Sequence, residues 1–88
     1  MPEPNFELIA NVASGPDSQV SPKLKEMLSE LKGRSSNEVK QGLRMALDFG
    51  ARYALASGFV MNVLHYEWER LGGKVSDPTP WRDEVEDA

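Results

Sequence analysis

Apolar residues return at helical spacing through most of this chain. In SPKLKEMLSELKG, Leu24, Met27, Leu28 and Leu31 fall at i, i+3, i+4 and i+7, one stripe on a helix surface. The Ser21 side chain suits the cap, where its oxygen accepts a bond from a free amide. Pro22 suits the first helical position, where a missing N–H costs nothing. Gly33 then reads as a left-handed stop. The result is a helix of about three turns, too short to persist alone in water.

A second helix opens at SSNEVKQGL, where Ser35 and Glu38 have the spacing of a capping box. No proline follows until Pro78, and Gly72–Gly73 supplies a stop. The pattern predicts one continuous helix over 36–71, ~54 Å long at 1.5 Å per residue; a break at Ser57–Gly58 is the alternative. Leu43, Leu47, Gly50, Ala54, Ser57, Met61, Leu64, Trp68 and Leu71 alternate spacings of four and three, the seam of a helix packing at a shallow angle. Beside it runs a bare row at every fourth position: Gly42, Ala46, Gly50, Ala54 and Gly58. Three glycines in a helix interior cost on the order of 3 kcal/mol relative to alanine. Close approach of another backbone is the expected compensation. A tight crossing between copies, centred near Gly50 to Gly58, is therefore anticipated.

The flanks read differently. In FELIANVA, Phe6, Leu8, Ala10 and Val12 alternate as a strand would, while Phe6, Ile9, Ala10 and Ala13 fit a helix equally well. A lone strand has no visible partner, so residues 1–20 are expected to form a flexible arm docking by Phe6 and Ile9. Residues 21–73 form the helical hairpin domain. Residues 74–88, with two prolines, Trp81 and a run of acids, read as a tail.

Composition changes this picture in two ways. With 88 residues and no cysteine, the chain has a marginal core and no disulfide to assist it, which favours oligomerisation. The net charge of −4 is concentrated at the two ends, which argues against general nucleic-acid binding. The leading residues lack a signal-peptide pattern and the longest weakly polar run is too short to span a bilayer. A cytoplasmic protein with no membrane span is expected.

Candidate chemistry is sparse. His65, with Glu69 one turn on, makes at most two ligands of a metal site. No nucleophile elbow, phosphate loop or dinucleotide fingerprint occurs, so neither enzymatic activity nor a cofactor is expected. Tyr66, Trp68 and Trp81 read as interface aromatics rather than a ligand pocket. Asn62, polar on an apolar turn, is placed to hydrogen-bond across a helix crossing. Lys32, Arg34, Lys40 and Arg44 gather around the turn between helices as an anion or nucleic-acid patch, although Glu26, Glu30 and Glu38 interleave with the bases there.

The run LKGRSSNEVKQGLRMAL resembles ribbon–helix–helix antitoxins, in which a short helix ends at glycine and a capped second helix follows. The resemblance implies a strand that reads DNA as a two-stranded ribbon. FELIANVA fits that strand poorly, because Glu7 would face phosphates and a dozen residues separate it from the first helix.

Together these patterns predict an all-α protein: a short helix folded on a long one, dimerising as a four-helix bundle. The expected function is a protein-interaction module, such as an adaptor, regulator, inhibitor or assembly factor. The alternatives are a small DNA-binding regulator and a non-catalytic subunit of an enzyme complex. Leu43, Leu47, Gly50, Ala54, Ser57, Gly58, Met61 and Leu64 are expected at the interface between copies. Trp68, Trp81, Asp83 and Glu84 are expected to meet an unidentified protein partner.

Overall fold

The structure, a computed structural model, describes residues 2–76. Four helices follow in order: α1 (Phe6–Ala13), α2 (Pro22–Ser29), α3 (Ser36–Tyr53) and α4 (Gly58–Arg70). There is no strand among the described residues, only a single antiparallel bridge between Val20 and Ala56. FELIANVA is thus α1, a helix, capped where the Asn5 side chain accepts the Leu8 amide at 3.1 Å. This leaves the ribbon–helix–helix likeness without its ribbon.

The two helix starts legible in the sequence form as their caps dictate. Ser21 accepts the Leu24 amide at 3.3 Å, with Pro22 in the first helical position. At α3, the Ser35 hydroxyl oxygen accepts the Glu38 amide at 3.2 Å while Glu38 Oε1 accepts the Ser35 amide at 3.4 Å. That capping box also holds the Glu38 carboxyl below its ordinary range, chiefly through the Ser35 side chain and then the Ser35 backbone and Arg34.

The continuous helix over 36–71 is not what the structure shows. The chain turns at Ala54, which adopts left-handed φ 52° and ψ 48°, and α4 restarts behind Ser57, whose side chain accepts the Val60 amide at 3.2 Å. A left-handed alanine costs about 1–2 kcal/mol. The bend recovers this locally. The Leu55 amide bonds the Gly50 carbonyl at 3.0 Å, closing the end of α3. The Ser21 amide bonds the Leu55 carbonyl, and the Ser57 amide the Gln19 carbonyl, each at 2.8 Å. These bonds tie the α1–α2 linker to the α3–α4 linker. The bend also folds α4 back along α3, so Val60, Leu64, Trp68 and Leu71 enter the same core as Leu24, Leu28, Val39, Leu43 and Leu47.

This geometry answers the bare row within one chain. A Cβ at Gly42 would overlap Leu31 Cδ2, so Leu31, in the turn after α2, packs directly against that bare position on α3. One at Gly50 would sit 2.8 Å from Met61 Sδ, across the α3–α4 contact. At Gly58, the first residue of α4, it would meet open space. Close packing within the molecule accounts for Gly42 and Gly50, and not for Gly58.

The leading segment is not loose either. Ile9 is buried in the core, with Phe6, Leu8 and Val12 packed against it, and α1 lies on α2. No described helix is long and apolar enough to cross a membrane.

Candidate functional site

Most of the seam residues are consumed by the fold. Leu43 and Leu64 are fully buried, Leu47 and Gly50 are buried, and Met61 is half-buried against Gly50. Ala54 and Gly58 are exposed at the bend, and Ser57 caps α4 while its hydroxyl donates to Gln19 Oε1 at 2.7 Å. Trp68, expected at a partner-facing surface, is buried. Its ring lies 4.9 Å beneath the Arg44 guanidinium and is packed so closely by Gly73 that a Cβ there would overlap the indole. Trp81, Asp83 and Glu84 lie outside the described residues.

Of the four cations, Arg34 and Arg44 are engaged within the chain and Lys40 is half-buried on α3. Arg44 pairs with Asp48 and donates to the carbonyls of Lys74 and Val75 at 3.3 and 3.2 Å, holding the chain that follows α4. Arg34 pairs with Glu38 and donates to the Glu30 carbonyl, beside a groove between α2 and α3. Lys32 borders a different groove, between α1 and α2. His65 Nδ1 lies 2.6 Å from Glu69 Oε1 on the exposed side of α4. Among the described residues no three His, Asp or Glu side chains converge as a metal site would need.

A charged feature the sequence did not advertise lies at the far end of α4. Glu67 is fully buried, the one such charged side chain among the described residues. Arg70 Nε donates to its Oε1 at 2.7 Å and Arg70 Nη2 to its Oε2 at 2.8 Å; the Asn5 amide donates to Oε2 at 2.7 Å. Arg70 Nη2 also donates to the Glu3 carbonyl at 2.6 Å, and Ser36 Oγ donates to the Pro2 carbonyl at 2.9 Å. Burial works to raise the Glu67 pKa, but the Arg70 and Asn5 bonds outweigh it and hold the carboxyl below its ordinary value. The same pairing raises Arg70 further. Oε2 thus fastens Asn5 to α4, and the carboxylate holds Arg70 where its Nη2 reaches the Glu3 carbonyl. The sequence signal was slight: Glu67 at i and Arg70 at i+3 is an ordinary surface spacing, and the Asn5 amide that joins the pair comes from 62 positions away.

An open surface lies between α1 and α4, with Asn5 on its border. A groove of about 760 Å³ runs between them, floored by Leu8 and Val12 of α1 and Val60 and Val63 of α4. Phe59 stands on its lip and is 74% exposed. The rim is made of the side-chain amides of Asn5, Asn11 and Gln19, with Glu7 its only charge. Farther along α4, Tyr66 is 65% exposed. A large aromatic left in water beside an apolar trough is suited to burial against another molecule, and the amide residues around it carry no net charge.

No family model, curated protein or solved structure matches this chain.

Proposed function

We propose that this chain is a non-enzymatic protein-interaction module whose docking face is the α1/α4 side. The observation that carries the reading is Phe59, three-quarters exposed on the lip of the apolar groove formed by Leu8, Val12, Val60 and Val63. Burying a phenylalanine side chain is worth about 1.5–3 kcal/mol, enough for one residue to dominate a small interface. The helices that form the groove are held by the core and by the Glu67–Arg70–Asn5 contacts, so the face is preorganised. The interface sits beside the bend rather than on the Leu43–Leu64 seam, because that seam is occupied by α3 packing on α4.

The test compares the wild-type chain with a Phe59→Lys, Val63→Lys variant as immobilised baits in extract from the organism of origin. Circular dichroism serves as the check that both are folded. A protein retained by the wild type and lost from the variant is the expected result. Indistinguishable retention by the two baits refutes this docking face.

A further inference from the structure

The residues that turn the chain between α3 and α4 are Ala54, Leu55, Ala56 and Ser57, none of them proline or glycine, and each is tolerated within a helix. They are held in the bend by a left-handed alanine, φ 52°, a conformation that its Cβ opposes. The bend also cuts one helix into two. The carbonyls of Ala51, Arg52 and Tyr53 have no following helical turn, and the amides of Gly58 and Phe59 have no preceding one.

The two core faces are nevertheless in phase across the bend. On an uninterrupted helix of ~3.6 residues per turn, the buried Val39, Leu43 and Leu47 of α3 and the buried Leu64, Trp68 and Leu71 of α4 centre within about 50° of one another. Straightening the bend therefore leaves both faces on one side of a single helix.

From this we infer that residues 54–57 are a hinge, and that two copies of this chain exchange α4 when it opens. In the exchanged dimer α3 and α4 join as one helix over 36–70, ~52 Å long. Two such helices run antiparallel, and α4 of each copy takes on the other copy the place it takes within one chain. The occupant is a second copy because the vacated place is shaped to α4 itself: Gly50 faces Met61, and Arg44 lies over Trp68 and holds the Lys74 and Val75 carbonyls. Every core contact is remade between copies, so closed chain and dimer differ at the hinge alone.

Opening breaks the backbone bonds from Ser21 to Leu55 and from Ser57 to Gln19. In return it restores helical bonds through the bend and releases the strained alanine. Dilute chains stay closed, since their own α4 is tethered beside α3; exchange grows toward about 1 mM protein, the effective concentration a short linker provides. Exchange also rebuilds the α1/α4 groove from two chains, with Leu8 and Val12 from one copy and Val60 and Val63 from the other. The dimer then carries that groove twice. The hinge itself does not depend on what the groove binds.

Position 54 tests the hinge in both directions. Valine, β-branched, opposes the left-handed turn, whereas glycine adopts it freely. Each dimer contains two hinges. After refolding from urea at about 1 mM, the dimer Kd read by light scattering on dilution should be on the order of tenfold lower for Ala54→Val than for wild type, and tenfold higher for Ala54→Gly. If Ala54→Val loses its helicity, the wild type and Ala54→Gly carry the same comparison. Spin labels at Asn37→Cys and Glu69→Cys, both exposed positions in a chain without cysteine, measure the intrachain distance when labelled chains are diluted into unlabelled protein. One continuous helix sets that distance at ~48 Å, whereas in the folded-back chain both positions lie at the same end of the α3–α4 pair. Wild type and Ala54→Val that both keep a mass of 9.8 kDa, a dimer whose intrachain distance stays short, or an Ala54→Gly chain that dimerises as tightly as the wild type would overturn the hinge.

Discussion

Replacing Arg70 by methionine should be far more damaging than replacing Glu67 by methionine, although both remove the same ion pair. Glu67 is wholly inaccessible, whereas the Arg70 side chain keeps about a third of its exposure. In Arg70→Met the carboxylate is left in the interior with the Asn5 amide as its remaining hydrogen-bond donor. Orphaning a buried charge costs about 3–5 kcal/mol. Because Arg70 is partly hydrated already, and water can follow its loss, the lower part of that range applies, about 3 kcal/mol. In Glu67→Met the guanidinium keeps the Glu3 carbonyl at 2.6 Å and turns to solvent, and the Asn5 amide lies close enough to the surface to find water. That variant should lose about 1 kcal/mol, a net hydrogen bond's worth. The double variant, with two apolar chains in the space, should fall near the Glu67→Met value, since hydrophobic replacement of a buried pair is commonly neutral.

The pH dependence follows with a definite sign. The Glu67 carboxyl is held below its ordinary value in the folded state. Its stabilising contribution is therefore fully present above the unfolded-state pKa, near 4.5, and is lost as pH falls through the lower folded value. In Arg70→Met the orphaned carboxyl takes a proton readily, so that variant's deficit should shrink on acidification. Urea denaturation of the four proteins at pH 7 and again at pH 3.5 measures all of this, with two-state behaviour checked by coincident fluorescence and circular dichroism. An Arg70→Met penalty no larger than that of Glu67→Met, or one unchanged by acid, would refute the account of Glu67 as a dry carboxylate.

Three further outcomes are expected from the same denaturation assay. Gly58→Ala should be neutral or stabilising by up to about 1 kcal/mol, while Gly42→Ala should fall at least 1 kcal/mol below it, since the helix-propensity gain there is opposed by the overlap with Leu31. Ala54→Gly should stabilise by roughly 1 kcal/mol by removing the Cβ from a left-handed residue. Gly73→Ala should destabilise by about 1–2 kcal/mol and alter Trp68 fluorescence in a Trp81→Phe background, because the rigid indole cannot yield as a leucine can.

Local chemistry was the legible part of this fold. The caps at Ser21 and Ser35, the burial of Leu24, Leu28 and Leu31 and the all-helical class follow from short-range rules, and the structure has them, although α2 ends at Ser29, short of the expected stop at Gly33. The alternative of a break at Ser57–Gly58 is where α4 restarts, but the left-handed turn at Ala54 was not marked by the same rules, because neither proline nor glycine occupies it. Its cause is tertiary: two backbone bonds to the α1–α2 linker and the burial of α4's apolar side. A four-three repeat running through residues 43–71 looks the same whether one helix meets a second copy or two half-length helices meet each other. The site was hidden for a related reason. Phe59 and Val63 were passed over because they fall off the seam, and positions off the seam become the free surface once the seam closes on itself. Arg44 shows the converse, a basic residue read as surface that is spent on Asp48, Trp68 and the carbonyls of Lys74 and Val75.

The fastening of residues 2–5 also governs when the molecule can finish folding. Asn5 waits for Glu67 and Glu3 for Arg70, partners separated by more than sixty positions. During synthesis the first helix therefore leaves the ribosome long before the groups that secure it, and the last helix must emerge before the first is locked. Loops that long close late and slow the overall reaction. Once formed, they tie the start of α1, which packs on α2, to the end of α4, so the amide of Asn5 should exchange with solvent more slowly than end fraying alone would allow.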